Sequence, residues 1–316
     1  MIPQATPTST ASDILYVVMT PPPNSKSAGI TYLNDLTKFL RSIGRNVIQL
    51  FSIYPKEQLV IWGAPSIPNQ NHWQVPWKDH WIPCAPGQLA SVFKGRKCIV
   101  IHGENQHFKW YEGLHVVRYY LYTIDGLEKK GVSRDGEFKL AWNELFCLNS
   151  DHVLNKSLVR YDLEKAKALS TESRSVDLTY IGKAWLHLEG AGRIDRTLEL
   201  TRTWPSNDDE YFYLLSKTRF LYTYDPVTSV IDDAITLGAF PVIMNTSPHS
   251  RDQLENSYDP AMRGCYCFYD ADLTHALSEF PVSRLRYINN LESKNTRFIS
   301  SLVEFCEKAE QRFFGT

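Results

Sequence analysis

"RFLYTYDPVTSVIDDAITLGAFPVI" (residues 219–243) sets a strand-like run, a turn, a short helical pattern and a second apolar run in sequence. Aromatic and β-compatible residues fill "RFLYTY", as a pleated and half-buried surface favours. "DPVTS" supplies the turn, because proline fixes its own φ while Asp, Thr and Ser hydrogen-bond their own backbone. "VIDDAITLG" carries helical spacing and ends on Gly238, the residue type that most often stops a helix. "AFPVI" is the next strand. A strand, a turn, a helix and a further strand form the unit from which parallel sheets are built, which puts the chain in the α/β class. Asp225, Asp232 and Asp233 nevertheless lie inside this otherwise apolar segment and require an explanation.

The same alternation extends outward in both directions. Near the start, "ILYVVM" (14–19) is followed by the breaker-rich "TPPPNSKSAG", then "ITYLNDLTKFLRSIG" with helical spacing as far as Gly44. "NVIQLF" (46–51) and "KCIVIHGE" (97–104) are further strands, whereas residues 64–95, rich in Pro and Trp, show no clear period. A polar, helix-like stretch at 163–174 precedes a second alternation that opens at "VDLTYIGKA" (176–184). It continues through "RTLELTRTW", "GAFPVIMN" and "GCYCFYD" as strand candidates. "NTRFISSLVEFCEKAEQRFF" closes the chain, with Phe298, Leu302, Phe305 and Phe313 spaced as an amphipathic helix. The expected architecture is α/β, with two Rossmann-like domains facing a cleft: residues 1–160, residues 161–290, and a closing helix over 291–316. Open α/β sheets bind ligands beyond the carboxyl ends of their strands, so the cleft is where chemistry is expected.

Bulk composition narrows the function classes. A chain of 316 residues exceeds one typical core and favours two domains. With 43% hydrophobic and 22% charged residues and a formal net charge of -1, it is globular and poorly suited to polyanions, so nucleic acid is not an expected partner. The six cysteines lack CxxC spacing and disulfide-scaffold density, which suits a reducing cytoplasm. "MIPQATPTSTASD" has neither a basic n-region nor an apolar h-region, and no run of about 18 apolar residues occurs. The sequence reads as cytoplasmic, with peripheral contact at the inner membrane face left open.

Within the opening stretch, Asp225, Thr228 and Ser229 fall at a strand end and a helix start. There, free backbone N–H groups and a partial positive charge suit a phosphate, to which hydroxyls add donors. Asp233 lies about one turn further, where a carboxylate accepts hydrogen bonds from ribose hydroxyls in dinucleotide sites. A plainer alternative makes Asp225 and Thr228 simple caps and turns Asp232 to water.

Resemblance sharpens the choice. Tyr224-Asp225-Pro226 with Thr228, Asp233-Ala234, Gly238 and Pro241-Val242-Ile243 resembles the donor-site segment of bacterial GT-B glycosyltransferases, particularly those of surface-polysaccharide gene clusters. That segment usually carries two Glu separated by seven residues, then Ala, Gly and Pro-Val; Asp225 and Asp233 keep the separation with the shorter acid. "LTRTWP" (200–205) is similar to the segment these proteins carry before the donor motif. "YIGKA" (180–184) resembles the strand and loop opening their C-terminal domain, "HVVRYYLY" (115–122) their "VVRxLL" helix, and "HGEN" (102–105) an acidic loop before it. The resemblance implies an enzyme that moves a sugar from a nucleotide-sugar donor to a carbohydrate or lipid-linked acceptor in surface-polysaccharide assembly. It implies a donor site made of Gly182, Lys183, Arg202, Tyr224, Thr228, Ser229 and Asp233, with Asp225 at the reacting sugar. No metal constellation is visible in the sequence, so Lys183, Arg202 and backbone donors are expected to stabilise the leaving diphosphate. The nucleotide-sugar is then a substrate, and no permanently bound cofactor is expected.

In the first half, "SKSAG" lets a ligand approach the backbone, which makes Gly29 a further donor-binding candidate, or alternatively serves only to turn the chain. Glu104, expected at a strand end, is the candidate general base for an acceptor hydroxyl, with a carboxylate paired to Arg118 or His107 as the alternative. His102 and His107 are reserve bases. "HWQVPWKDHWIP" (72–83) offers aromatic faces to an acceptor sugar or, alternatively, packs a core. Asp270-Ala271-Asp272 has the form of a metal-binding Asp-x-Asp and supports a metal-dependent transferase as a second reading. A sugar- or nucleotide-binding protein without turnover is a third. A dehydrogenase or epimerase is disfavoured because no GxGxxG follows the first strand.

Overall fold

The computed structural model describes residues 13–21, 27–51, 73–77, 80–84, 93–104, 112–122, 135–157, 159–169, 174–183, 192–201, 203–244 and 249–315. It is a mixed α/β protein with two sheets whose strands are mainly parallel, in a Rossmann-like arrangement. The chain divides into two compact units, Met1–Asn155 with Arg297–Thr316, and Lys156–Thr296.

In the first unit, β1 (Leu15–Thr20), β2 (Asn46–Phe51), β5 (Cys98–Gly103), β6 (His115–Tyr120), β7 (Phe138–Ala141) and β8 (His152–Val153) run parallel. A hairpin of β3 (Trp73–Trp77) and β4 (His80–Cys84) pairs antiparallel on β2. The order is β4-β3-β2-β1-β5-β6-β7-β8. Every residue of β1 and β5 is buried, as strands covered on both faces require, which explains why they read as unbroken apolar runs. α1 (Ala28–Ser42) places Ile30, Leu33, Leu36 and Leu40 inward at helical spacing and packs on β1 and β2. It ends in a Schellman turn: Gly44 at φ +79° donates to Arg41, and Arg45 donates to Leu40.

The second unit has five parallel strands in the order β10-β9-β11-β12-β13: β9 (Val176–Tyr180), β10 (Leu198–Leu200), β11 (Thr218–Thr223), β12 (Phe240–Ile243) and β13 (Cys267–Phe268). Its helices are α2 (Leu163–Lys167), α3 (Asp208–Lys217), α4 (Ser229–Leu237) and the first part of α5 (Leu273–Phe314). α4 closes on Gly238 at φ +86° by the same pair of bonds, Gly238 to Ile235 and Ala239 to Ala234. Cations also meet the carbonyls of its last turn. Arg284 donates to Ile235 at 3.0 Å and Thr236 at 2.7 Å, and Arg174 donates to Leu237 at 2.7 Å. Burial, with Arg174 nearby, lowers the Arg284 pKa to about 10, which leaves it charged at neutral pH and favourable at a helix C-terminus.

The structure changes several expectations. "HVVRYYLY" is not a helix: its first six residues form β6, paired parallel to β5 and β7. Val116, Val117, Tyr119 and Tyr120 are buried, and β-branched and aromatic residues suit a strand with sheet on either side. "RTLELTRTW" contributes only the three residues of β10. Residues 64–95, without period in the sequence, include the β3–β4 hairpin. The last helix starts at Leu273, where Asp272 caps it by accepting the N–H groups of Thr274 and His275, and it runs through Pro281. Among the described residues, no helix is long and apolar enough to cross a membrane.

Candidate functional site

In the second sheet the chain order turns between β9 and β11, since β10 joins β9 on one side and β11 and β12 follow on the other. Such a switch point opens a crevice at the carboxyl ends of the two strands. There the main chain of β11 runs on through Tyr224, whose N–H donates to the carbonyl of Tyr180 at 3.1 Å. Asp225 follows, 5% exposed. One of its carboxylate oxygens, Oδ2, accepts the backbone N–H of Lys183 at 2.8 Å, joining the loops that leave β9 and β11. Thr223, fully buried, fixes the backbone of Asp225 from below: its hydroxyl accepts the Asp225 N–H at 3.1 Å and donates to the Asp225 carbonyl at 3.0 Å.

Gly182 makes this closure fit. Its φ is +58°, and a Cβ there would stand 2.5 Å from Asp225 Oδ2 and 2.7 Å from the ring of Tyr180. Both the left-handed backbone and the lack of space demand glycine. Gly182, Lys183, Tyr224 and Asp225, expected as neighbours, are thus brought together; Arg202 lies outside the described residues.

Thr228 and Ser229 stand at the start of α4. The Thr228 hydroxyl accepts the Val230 N–H at 3.5 Å, a long and weak cap. α3, which precedes β11 as α4 follows it, differs at the same end. Asn207 caps it at 2.9 Å, and Asp208, Asp209 and Glu210 fill its first turn. Three carboxylates already answer the positive end of α3, whereas the first turn of α4 holds only Asp232. Of the two helix starts, α4 is the one suited to an anion.

The acids one turn into α4 are both buried, so Asp232 does not face water. Asp233 accepts the hydroxyl of Tyr211 on α3 at 2.9 Å, and Asp232 that of Tyr287 on α5 at 2.6 Å. Burial raises Asp233 to about 7 against the opposing pull of the Tyr211 bond and Arg160, and raises Asp232 to about 6 against Tyr287 and Lys294. Neither tyrosine was legible as a partner, because both contacts join elements distant in the sequence.

In the first unit the order turns between β1 and β5. Glu104 follows β5, and its carboxylate accepts the Leu121 N–H at 3.1 Å. Gly29, in the first turn of α1, also faces Leu121, which a Cβ would meet at an ordinary 3.6 Å. Arg118, fully buried in β6, grips Glu137 through Nε at 2.7 Å and Nη2 at 2.9 Å, and donates from Nη1 to the backbone carbonyl of Glu104 at 2.9 Å. Glu137 carried no signal in the sequence. His102 is buried inside β5 beside the Gly103 carbonyl, and burial with the nearby Arg118 holds its pKa well below the ordinary range. His107, Ser25 and Lys26 lie outside the described residues, as do the side chains of the aromatic stretch 72–83.

Asp270 pairs with Arg251 at 2.8 Å while Asp272 caps α5. Among the described residues no group of three or more His, Cys, Asp or Glu is arranged to hold a metal. Compared with known proteins, the chain matches no family model and no curated protein.

Proposed function

We propose that the protein is a GT-B-type glycosyltransferase that moves a sugar from a nucleotide-sugar to a carbohydrate or lipid-linked acceptor in surface-polysaccharide assembly, with the donor bound by the second unit. The observation carrying this reading is the buried carboxylate of Asp225, clamped by the Lys183 N–H over Gly182 at the β9–β11 switch point. A carboxylate fixed there accepts hydroxyls of the donor sugar and opposes the positive charge of an oxocarbenium-like transition state. Backbone N–H groups and hydroxyls at Thr228 and Ser229, with Lys183 and Arg202, take the diphosphate. Asp233, oriented by Tyr211, is the ribose-side acid. The reaction runs in the cytoplasm, with the acceptor reached from the inner face of the membrane.

The test is thermal stability with UDP, GDP, ADP and CMP, with and without Mg, for wild type and Asp225→Asn, followed by release of free nucleotide from the matching nucleotide-sugar. A nucleotide that binds only the folded state raises the midpoint. One nucleotide should stabilise wild type more than the variant, and wild type should turn over its sugar conjugate. Binding without turnover would favour a non-catalytic binding protein, and a response that requires Mg and survives Asp225→Asn would favour the metal-dependent alternative.

A further inference from the structure

The end of α5 lies against β7 and β8 of the first sheet, and one histidine stands beneath it. Ser301, Phe305, Lys308 and Arg312 recur at helical spacing along one face of α5. His152, buried as the first residue of β8, meets three of them. Its Nε2 stands 3.0 Å from both the carbonyl and the hydroxyl oxygen of Ser301. Its ring lies 6.2 Å from that of the fully buried Phe305, and its Nδ1 lies 3.4 Å from the Lys308 ammonium. Arg312 makes a separate tie, to Asp151 at 2.7 Å and to the Glu137 carbonyl at 3.1 Å.

These contacts fix the proton on the ring. An ammonium only donates, so Nδ1 accepts from Lys308, and the neutral imidazole carries its hydrogen on Nε2 and donates to the Ser301 carbonyl. A second proton has to enter at Nδ1, where it meets the Lys308 cation and removes the hydrogen bond between them. The other charges on the neighbouring elements relieve this little. Glu304 on α5 favours the charged ring, but it is exposed and pairs with Lys308 at 2.8 Å. Asp151, next to His152 in the chain, accepts the backbone N–H of Lys139 on β7 and pairs with Arg312 on α5, both at 2.7 Å. Glu137, just before β7, is held by Arg118. Burial, and after it Lys308, holds the His152 pKa below its ordinary value of 6.5, against the pull of Glu304 and the Ser301 carbonyl.

We infer that His152 is a proton-operated latch on the end of α5: neutral, it holds Ser301 and Lys308 to β8, and protonated, it expels the Lys308 ammonium and loosens residues 301–308 from the sheet. Lys308 is 46% exposed, so its displaced ammonium moves into water. Local opening frees the ring to take a proton at its ordinary pKa, so the closed form binds fewer protons than the open one. Closure is therefore at full strength above about pH 6.5 and weakens as pH falls below it. α5 is one helix whose residues up to Thr296 belong to the second unit and whose residues from Arg297 belong to the first, and the latch governs the part that rests on the first sheet. It is independent of the donor-site reading above.

Amide hydrogen exchange of the full chain, read by mass spectrometry at about pH 7.5 and about pH 5 and corrected for the intrinsic pH dependence of exchange, decides the matter. In wild type the protection of residues 301–308 should fall severalfold at the lower pH, while that of β5 in the same unit does not. His152→Gln keeps a donor for the Ser301 carbonyl and takes no proton, so its protection should hold at both pH values. Lys308→Met keeps the aliphatic stem without the facing charge and should show a smaller fall than wild type. Unchanged protection in wild type, or a fall in His152→Gln as large as in wild type, overturns the latch. An undiminished fall in Lys308→Met overturns it as well, and so does a fall that β5 shares equally.

Discussion

Each sheet has a switch point with a carboxylate at its carboxyl edge, Glu104 after β5 and Asp225 after β11, and the two acids are secured by different means. Glu104 stands over a buried ion pair: Arg118 and Glu137, both side chains 1% exposed, meet in a bidentate contact, and the spare guanidinium nitrogen reaches the Glu104 backbone. Asp225 is held by the Lys183 N–H and by Thr223, in space that only glycine at 182 leaves open. A buried ion pair is costly to break, because removing one member strands the other charge. A glycine contact fails instead when a Cβ is added to it. The strand end beside Glu104 thus rests on charge pairing and the Asp225 closure on shape, and each has its own signature.

The largest effect should come from the ion pair. Glu137→Ala should destabilise the fold by about 3–5 kcal/mol in urea unfolding, whereas the double variant Arg118→Met with Glu137→Leu should recover much of that loss, since a packed apolar pair replaces a paired charge at little cost. A single-variant cost near zero would mean that the guanidinium finds another partner and that the pair does not brace the strand ends.

Gly182→Ala should cost about 2–4 kcal/mol, combining an αL backbone with overlap onto Asp225 and Tyr180. Gly44 is the internal control. It too has positive φ, +79°, but nothing lies within 4 Å of an added Cβ, so Gly44→Ala should cost only about 1 kcal/mol. Equal costs at the two positions would remove shape from the account of the second site.

These contrasts also explain what the sequence could disclose. Short-range signals survived: the glycine-terminated helices α1 and α4, the apolar strands β1, β2 and β5, and the Asp-Pro turn after β11 are each written within about fifteen neighbouring residues. Gly182 and Asp225 were legible as candidates, but not the hydrogen bond that joins their loops, because 42 positions separate Lys183 from Asp225. "HVVRYYLY" misled because resemblance suggested a helix where Val116, Val117, Tyr119 and Tyr120 prefer a buried strand. The partners of the α4 acids, Tyr211 and Tyr287, lie 22 and 55 positions away, and no local pattern marks them.

Those acids provide the smallest and most discriminating effect, because they lie behind the Asp225 site on the helix that begins it. Folding raises Asp233 to about 7 and Asp232 to about 6, from an ordinary value of 3.8, chiefly by removing them from water. The folded protein therefore holds protons that the unfolded chain has released. Their contribution to stability is fully present below about pH 4 and is lost as pH rises through 6 and 7. Asp233→Asn keeps an acceptor for Tyr211 and removes the charge. It should flatten the stability profile between pH 4 and 8 and leave the variant more stable than wild type at pH 8, by on the order of 1–2 kcal/mol. Parallel profiles for the two proteins would show Asp233 ionised without penalty, and would return α4 to the shape-governed class of Gly182. A flattened profile would instead show that the second unit carries an electrostatic cost one turn into the helix that follows Asp225.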